Sequence, residues 1–128
     1  MNSLTITLPH TPRCLSPNAK TPLTQRGAVV ANKVKVSAKQ RARHMAWAVT
    51  YKTLQGRKFV PNFYTVRWFY KGPEPDDDNV LSRCKYYKDG ACSAMGIDDG
   101  RLRCRGIERI HDLERAGKVE IVFERSVL

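Results

Sequence analysis

The first acidic residue of this chain is Glu74. Residues 1 to 73 hold thirteen Lys and Arg and no Asp or Glu, which excludes an ordinary mixed-charge surface over that half. No run approaches the roughly 20 apolar residues of a membrane span, so no partnership with a membrane is expected. Met1-Asn2-Ser3-Leu4 lacks a basic start leading into an apolar stretch, and no secretory signal is expected. The four cysteines, Cys14, Cys84, Cys92 and Cys104, show no CxxC pairing. Cys84 and Cys92 fall too far apart along one segment to bridge. Together with Cys104 and His111 they match no zinc-ligand spacing. Reduced thiols in the cytoplasm are the expectation. A phosphate-cradling glycine loop, a Ser/His/Asp arrangement and an internal repeat are all missing. The commonest nucleotide-binding and acyl-transfer signatures are thereby excluded.

What is present is charge, sorted along the chain. All twelve acids lie between Glu74 and Glu124, and seven of them between Glu74 and Asp99, within a net charge of +11. This sorting implies a broad positive surface around a local negative pit. A polyanion is drawn to the first and a metal ion to the second. A length of 128 residues fits one domain with its own core.

The order of elements reads as α+β. Ser3 to Leu8 alternates, with Leu4, Ile6 and Leu8 on one face, and Pro9 ends it, as in a half-buried strand. His10 to Val36 carries Pro12, Pro17, Pro22, Gly27 and five basic residues. It reads as a long irregular basic loop reaching over nucleic acid or a partner copy, with a short extended piece at Val34 and Val36. Ser37, with Gln40 at the capping-box position, predicts a helix start. The stripe Ala42, Met45, Ala46 and Val49 would face the core, and Gln55-Gly56 would close the helix. Lys39, Arg41, Arg43 and Lys52 form either a solvated face or a phosphate-contacting one; Lys39 and Arg43 are candidates for DNA contact. Phe59 to Tyr70 reads as a central strand covered on both sides. Trp68 and Tyr70 are expected in the core, with base stacking as the competing reading.

Pro75-Asp76-Asp77-Asp78-Asn79 then opens a helix running from Val80 to Met95, with Asp78 as N-cap and Gly96 as its stop. Gly90 inside it weakens the helix by about 1 kcal/mol and marks a break into two pieces. Asp98-Asp99 follows just past the far end. Carboxylates before a helix favour the positive end of its dipole, and Asp-Asp-Gly is a turn signal. The combination of both stretches in a basic protein also suits hard divalent cations, which take several carboxylate oxygens and keep their waters. Arg101, Arg103 and Arg105 alternate beside the pair, either as a solvated strand edge or as a phosphate clamp. Gly106 to Leu113 and Lys118 to Glu124 read as a hairpin around Arg115-Ala116-Gly117. His111 is expected to be a structural or surface histidine rather than a general base, and His10 and His44 carry no more signal.

This order resembles the RusA family of Holliday junction resolvases, small endodeoxyribonucleases of largely phage origin. Leu4-Thr5-Ile6-Thr7-Leu8-Pro9 with Pro12 is similar to their first strand and its exit. Asp76-Asp77-Asp78-Asn79 is similar to their D-x-D-N motif, Gly96-Ile97-Asp98-Asp99 to their G-x-x-D-D segment, and Gly117-Lys118-Val119-Glu120-Ile121 to their closing strand. The resemblance implies a single α+β domain with a mixed sheet and two main helices, a homodimer, and dependence on Mg²⁺ or Mn²⁺. It further implies metal ligation by Asp76, Asp78 and Asp99 with Asp98 beside them, paired nicks in four-way junction DNA, and a place in DNA recombination and repair. Asn79, Arg83, Arg101 and Arg103 are then DNA contacts. Ser82 stands where the family carries a lysine, and the segment before the Asp pair is longer by about two residues. Lys85, one turn further along the same face, is the candidate to replace that lysine. Two further classes stay open: a junction-binding protein without activity, and a basic RNA-associated module whose acids only cap a helix.

Overall fold

The computed structural model describes residues 2–16, 24–114 and 117–126. The chain forms strand β1 (Ser3–Pro9), helix α1 (Gln25–Leu54), strand β2 (Phe63–Tyr70), helix α2 (Asp77–Met95), strand β3 (Arg103–His111) and strand β4 (Lys118–Glu124). Short 3₁₀ turns occupy Arg13–Leu15 and Asp99–Arg101. It is a single small α+β domain, a mixed four-stranded sheet with two helices, as the element order predicts.

The sheet order is β1-β4-β2-β3. β4 runs antiparallel to both β1 and β2, while β2 and β3 are parallel. A parallel pair needs a crossover, and α2 supplies it. The expected hairpin between β3 and β4 is therefore absent, because β2 lies between them. Its turn residues Arg115 and Ala116 fall outside the described residues. Alternation decides the faces of the sheet. Leu4, Ile6, Leu8, Tyr64, Val66, Trp68, Val119, Ile121 and Phe123 are buried. Phe63, Thr65, Arg67 and Phe69 on the other side of β2 are only half-buried. β2 is central, as expected, but both helices lie on one face, so it is not covered on two sides.

α1 corrects the expected loop over 10–36. Thr24, not Ser37, is the N-cap, its hydroxyl accepting the Gly27 N–H at 3.1 Å. Ser37, Val34 and Val36 are interior to one 30-residue helix. The Gln, Arg, Ala and Lys of 25–35 are strong helix formers and outweigh Gly27 and the valines. The stretch 17–23 of the expected loop, with Pro17 and Pro22, is outside the described residues. Ala38, Ala42, Ala46, Thr50 and Leu54 form the buried stripe. Met45, expected in it, is exposed.

α2 runs unbroken through Gly90. A Cβ there would lie 2.1 Å from the Arg43 carbonyl oxygen, so glycine is what lets the two helix backbones approach. The entropy lost at a mid-helix glycine is offset by this packing. Gly96 ends the helix at φ 70° and donates its N–H to the Cys92 and Ser93 carbonyls, the stop read from the sequence.

Candidate nucleic-acid interface

The head of α2 is built by polar contacts. Asp76, not Asp78, is the N-cap; its carboxylate accepts the Asn79 N–H at 2.8 Å. The cap falls two residues earlier than expected because Asp77 and Asp78 already have helical backbones, forming the first turn. Asp77 is ion-paired with Arg109 of β3, whose Nε–H also donates to the Pro75 carbonyl at 2.7 Å. Asn79 accepts from the Ser16 hydroxyl at 2.7 Å. One turn on, Arg83 donates to the Thr11 carbonyl and hydroxyl and lies 4.9 Å from the Trp68 ring centroid. Tyr87 donates to the Pro9 carbonyl at 2.6 Å. The strand exit, the β2 end and the helix head are thus tied into one corner.

A cleft of about 580 Å³ opens at this corner, at the end of parallel strand β2 and the N-terminus of α2. Ligand sites of open α/β sheets lie at such strand ends. Asp76, Asn79, Arg83, Glu74, His10 and Asp112 are among its lining residues. His10 stacks on Trp68 with ring centroids 4.5 Å apart. Its Nε2–H donates to the Phe69 carbonyl at 2.7 Å. Burial, reinforced by the nearby Arg83 charge, lowers its pKa below the usual histidine value against those hydrogen bonds. Trp68 is 3% exposed, so core packing, not base stacking, is its role.

The tail of α2 is a different place. Asp98 accepts the Gly100 N–H at 3.0 Å and caps the 3₁₀ turn that contains Asp99 and Arg101. Asp99 shares a hydrogen bond with Asp89. Burial first, then that bond and the neighbouring charge, push the Asp89 carboxyl above the ordinary range. Burial likewise pushes the Cys84 and Cys92 thiols up to about 12, which keeps both protonated in the core.

The helix rise of about 1.5 Å per residue places Asp89, and with it Asp99, about 18 Å along the axis from Asp76–Asp78. A cation needs its oxygen ligands within about 2.0–2.6 Å. Asp76 and Asp78 therefore cannot share an ion with Asp98 or Asp99 of the same chain. Among the described residues no three His, Cys, Asp or Glu side chains converge on a metal position. The expected metal set does not fit within one protomer.

The basic candidates also separate. Lys39, Arg43 and Lys85 gather around Tyr86, at 5.3, 5.0 and 5.9 Å from its ring centroid. Lys85 also lines a groove of about 260 Å³ with Ser82 and Lys88. Arg101 lies in the 3₁₀ turn and Arg105 at a register shift of β3, paired with Glu124 at 3.2 Å. They do not form the expected row with exposed Arg103. Arg109, His10, Asp112 and Asp89 were not singled out by sequence reasoning. Only the position of Arg109 on a strand emerging opposite the helix head carries a signal, and it needs the β2–β3 pairing to be read.

A protein of Xylella fastidiosa (strain Temecula1 / ATCC 700964), described as an uncharacterized protein, is 37% identical over 122 residues, covering 92% of this chain and 74% of its own length. The chain belongs to the same family as that protein. No family model matches the sequence. Among the described residues no helix is long and apolar enough to cross a membrane.

Proposed function

We propose that this protein is a metal-dependent, structure-specific endodeoxyribonuclease acting on four-way junction DNA, and that its carboxylates become a site only between two copies. The observation that carries the reading is the separation of two acid stretches at opposite ends of one rigid helix, in a chain whose first 73 residues contain no acid. A homodimer whose α2 helices run antiparallel sets the head of each against the tail of the other, twice, by two-fold symmetry. The motif resemblance adds Mg²⁺ or Mn²⁺ as the ion and a cytoplasmic role in recombination. The cluster of Lys39, Arg43 and Lys85 supplies cationic charge along the rod between the two ends, where phosphates are attracted.

Nicking of a synthetic four-way junction with and without Mg²⁺ tests this. Asp78→Asn and Asp99→Asn should each lower cleavage at least about 100-fold while retaining junction binding. Mixing the two variants should restore about a quarter of the wild-type rate, because random reassortment leaves one intact site in each mixed dimer. Cleavage at wild-type rate by both variants would show that the assigned carboxylates are wrong. No recovery on mixing would remove the shared site.

A second reading is favoured by a specific observation: Asp76 is engaged as a helix cap and Asp77 as an ion-pair partner, with Ser82 at the position of the family lysine. On that reading the protein binds branched DNA without cutting it. Wild-type protein that binds the junction and never nicks it, with or without Mg²⁺, would select this one.

A further inference from the structure

We propose that the outer face of α1 is a stacking platform for unpaired bases, on which Trp47 and Tyr51 receive a single-stranded stretch of DNA. The proposal rests on the DNA reading above but not on cleavage. The buried stripe of α1 leaves the opposite face to solvent, and there His44, Trp47 and Tyr51 recur at i, i+3 and i+7. Their rings form a ladder: His44 and Trp47 have centroids 6.3 Å apart and planes 12° from parallel, Trp47 and Tyr51 5.1 Å and 10°. Trp47 is 39% exposed and Tyr51 62%, so two large rings are held flat and open on the surface rather than buried.

The charge of the helix says what covers them. α1 carries seven Lys and Arg and not one Asp or Glu. A second copy laid on this face would oppose like charges, which is destabilising. A polyanion that also offers flat apolar surfaces matches both features. Unpaired DNA is such a ligand: its phosphates meet the basic residues, and its bases, which a duplex keeps stacked inside, are free to lie on the rings. By helical phase, Arg26 and Lys33 share the outward face with the ladder and extend it toward the N-terminus of α1.

The chain has two tryptophans, and Trp68 is 3% exposed beneath His10 and Arg83, so a surface quench reports on Trp47. Full-length protein would be titrated with a thymidine oligonucleotide and with a blunt duplex of equal phosphate number. The expected result is fluorescence quenching by the single strand and not by the duplex. Trp47→Ala and Tyr51→Ala should each weaken single-strand binding about tenfold and duplex binding less than about twofold, whereas Tyr51→Phe should bind like wild type. Equal quenching by duplex, or unchanged single-strand affinity in both alanine variants, would overturn the platform. So would a shift from dimer to monomer in sedimentation on Trp47→Ala, since a second copy would then be what covers the rings. Junction nicking in Mg²⁺ is read in parallel. Wild type that never nicks yet binds single strands through Trp47 removes the nuclease reading and leaves the platform. Wild type that nicks without single-strand quenching does the reverse.

Discussion

The two ends of α2 are held in place by different physics. At its head, side chains do the holding: Asp76 caps, Asp77 pairs with Arg109, Asn79 accepts from Ser16, and Arg83 and Tyr87 reach the exit of β1. At its tail, backbone does it. Gly90 lies against the Arg43 carbonyl, Ala91 and Cys92 are buried, and Gly96 stops the chain in the left-handed conformation. The acids follow the same division. Those at the head lie beside Arg109, an arginine 22% exposed; at the tail Asp89 and Asp99 share a hydrogen bond. A rod fixed by contacts at both ends cannot bring its own two acid stretches together, so the shared cation site proposed above requires a second copy.

The sharpest way to break this contrast is at the tail. Gly90→Ala would raise intrinsic helix propensity by about 1 kcal/mol, yet its Cβ would meet the backbone of α1 rather than a flexible side chain. The clash should win, with a net loss of about 3 kcal/mol in urea unfolding. A variant as stable as wild type would mean that α1 and α2 can slide apart, and that the tail is not fixed by close approach.

This position also shows how far the sequence could be read. Its glycine was legible as a weak point of the helix but not as a contact, because the partner is the backbone of a helix over forty residues earlier in the chain. The same limit explains the other differences. β1, the core face of β2, the stop at Gly96 and the α+β class all follow from local alternation and turn chemistry, and they stand. The start of α1 differs from the expectation because Pro12, Pro17, Pro22 and Gly27 signal a loop, while the signal for the helix is Thr24 with a run of Lys, Arg, Gln and Ala behind it. The expected β3–β4 hairpin does not form because strand order is set by where α2 crosses, not by which strands are neighbours in sequence. Of the candidate site, the acids at each end of α2 were legible as two groups. The roughly 18 Å of helix that holds them apart is implicit in the predicted length of α2. Trp47 and Tyr51 give no local signal, because an aromatic at helical spacing looks the same whether it faces core or water.

A smaller effect is expected at the head. Arg109→Met keeps a long aliphatic side chain on β3 and removes the hydrogen bond to Pro75 and the pairings with Asp77 and Glu74. Asp77 is 66% exposed, so most of its ion pair is discounted by solvent. The part-buried bond to the Pro75 carbonyl remains, and its loss should destabilise by about 1–2 kcal/mol. The loss should vary little with salt, because the screened component is the minor one. A strongly salt-dependent loss would reverse that apportionment, and no loss at all would mean that the helix head is not held through β3.

The smallest effect is on the response of the head to acid. Neutral His10 stacks on Trp68 and donates through Nε2 to the Phe69 carbonyl. Its folded pKa lies below 6.5, chiefly because burial disfavours the charged ring, with Arg83 adding to this and Asp112 opposing it. Between the lowered folded value and 6.5 the unfolded chain therefore binds more protons than the folded one, and stability falls as pH falls through that window. Above 6.5 the contribution is fully present. The urea midpoint of the wild-type protein should decline on going from about pH 7.5 to about pH 5.5. In His10→Gln, which keeps a hydrogen-bond donor and cannot titrate, that part of the decline should vanish while the rest persists. If the two proteins lose stability in parallel, the sensitivity lies in other groups, and the imidazole is solvated enough to charge without disturbing the ring of Trp68 beneath it.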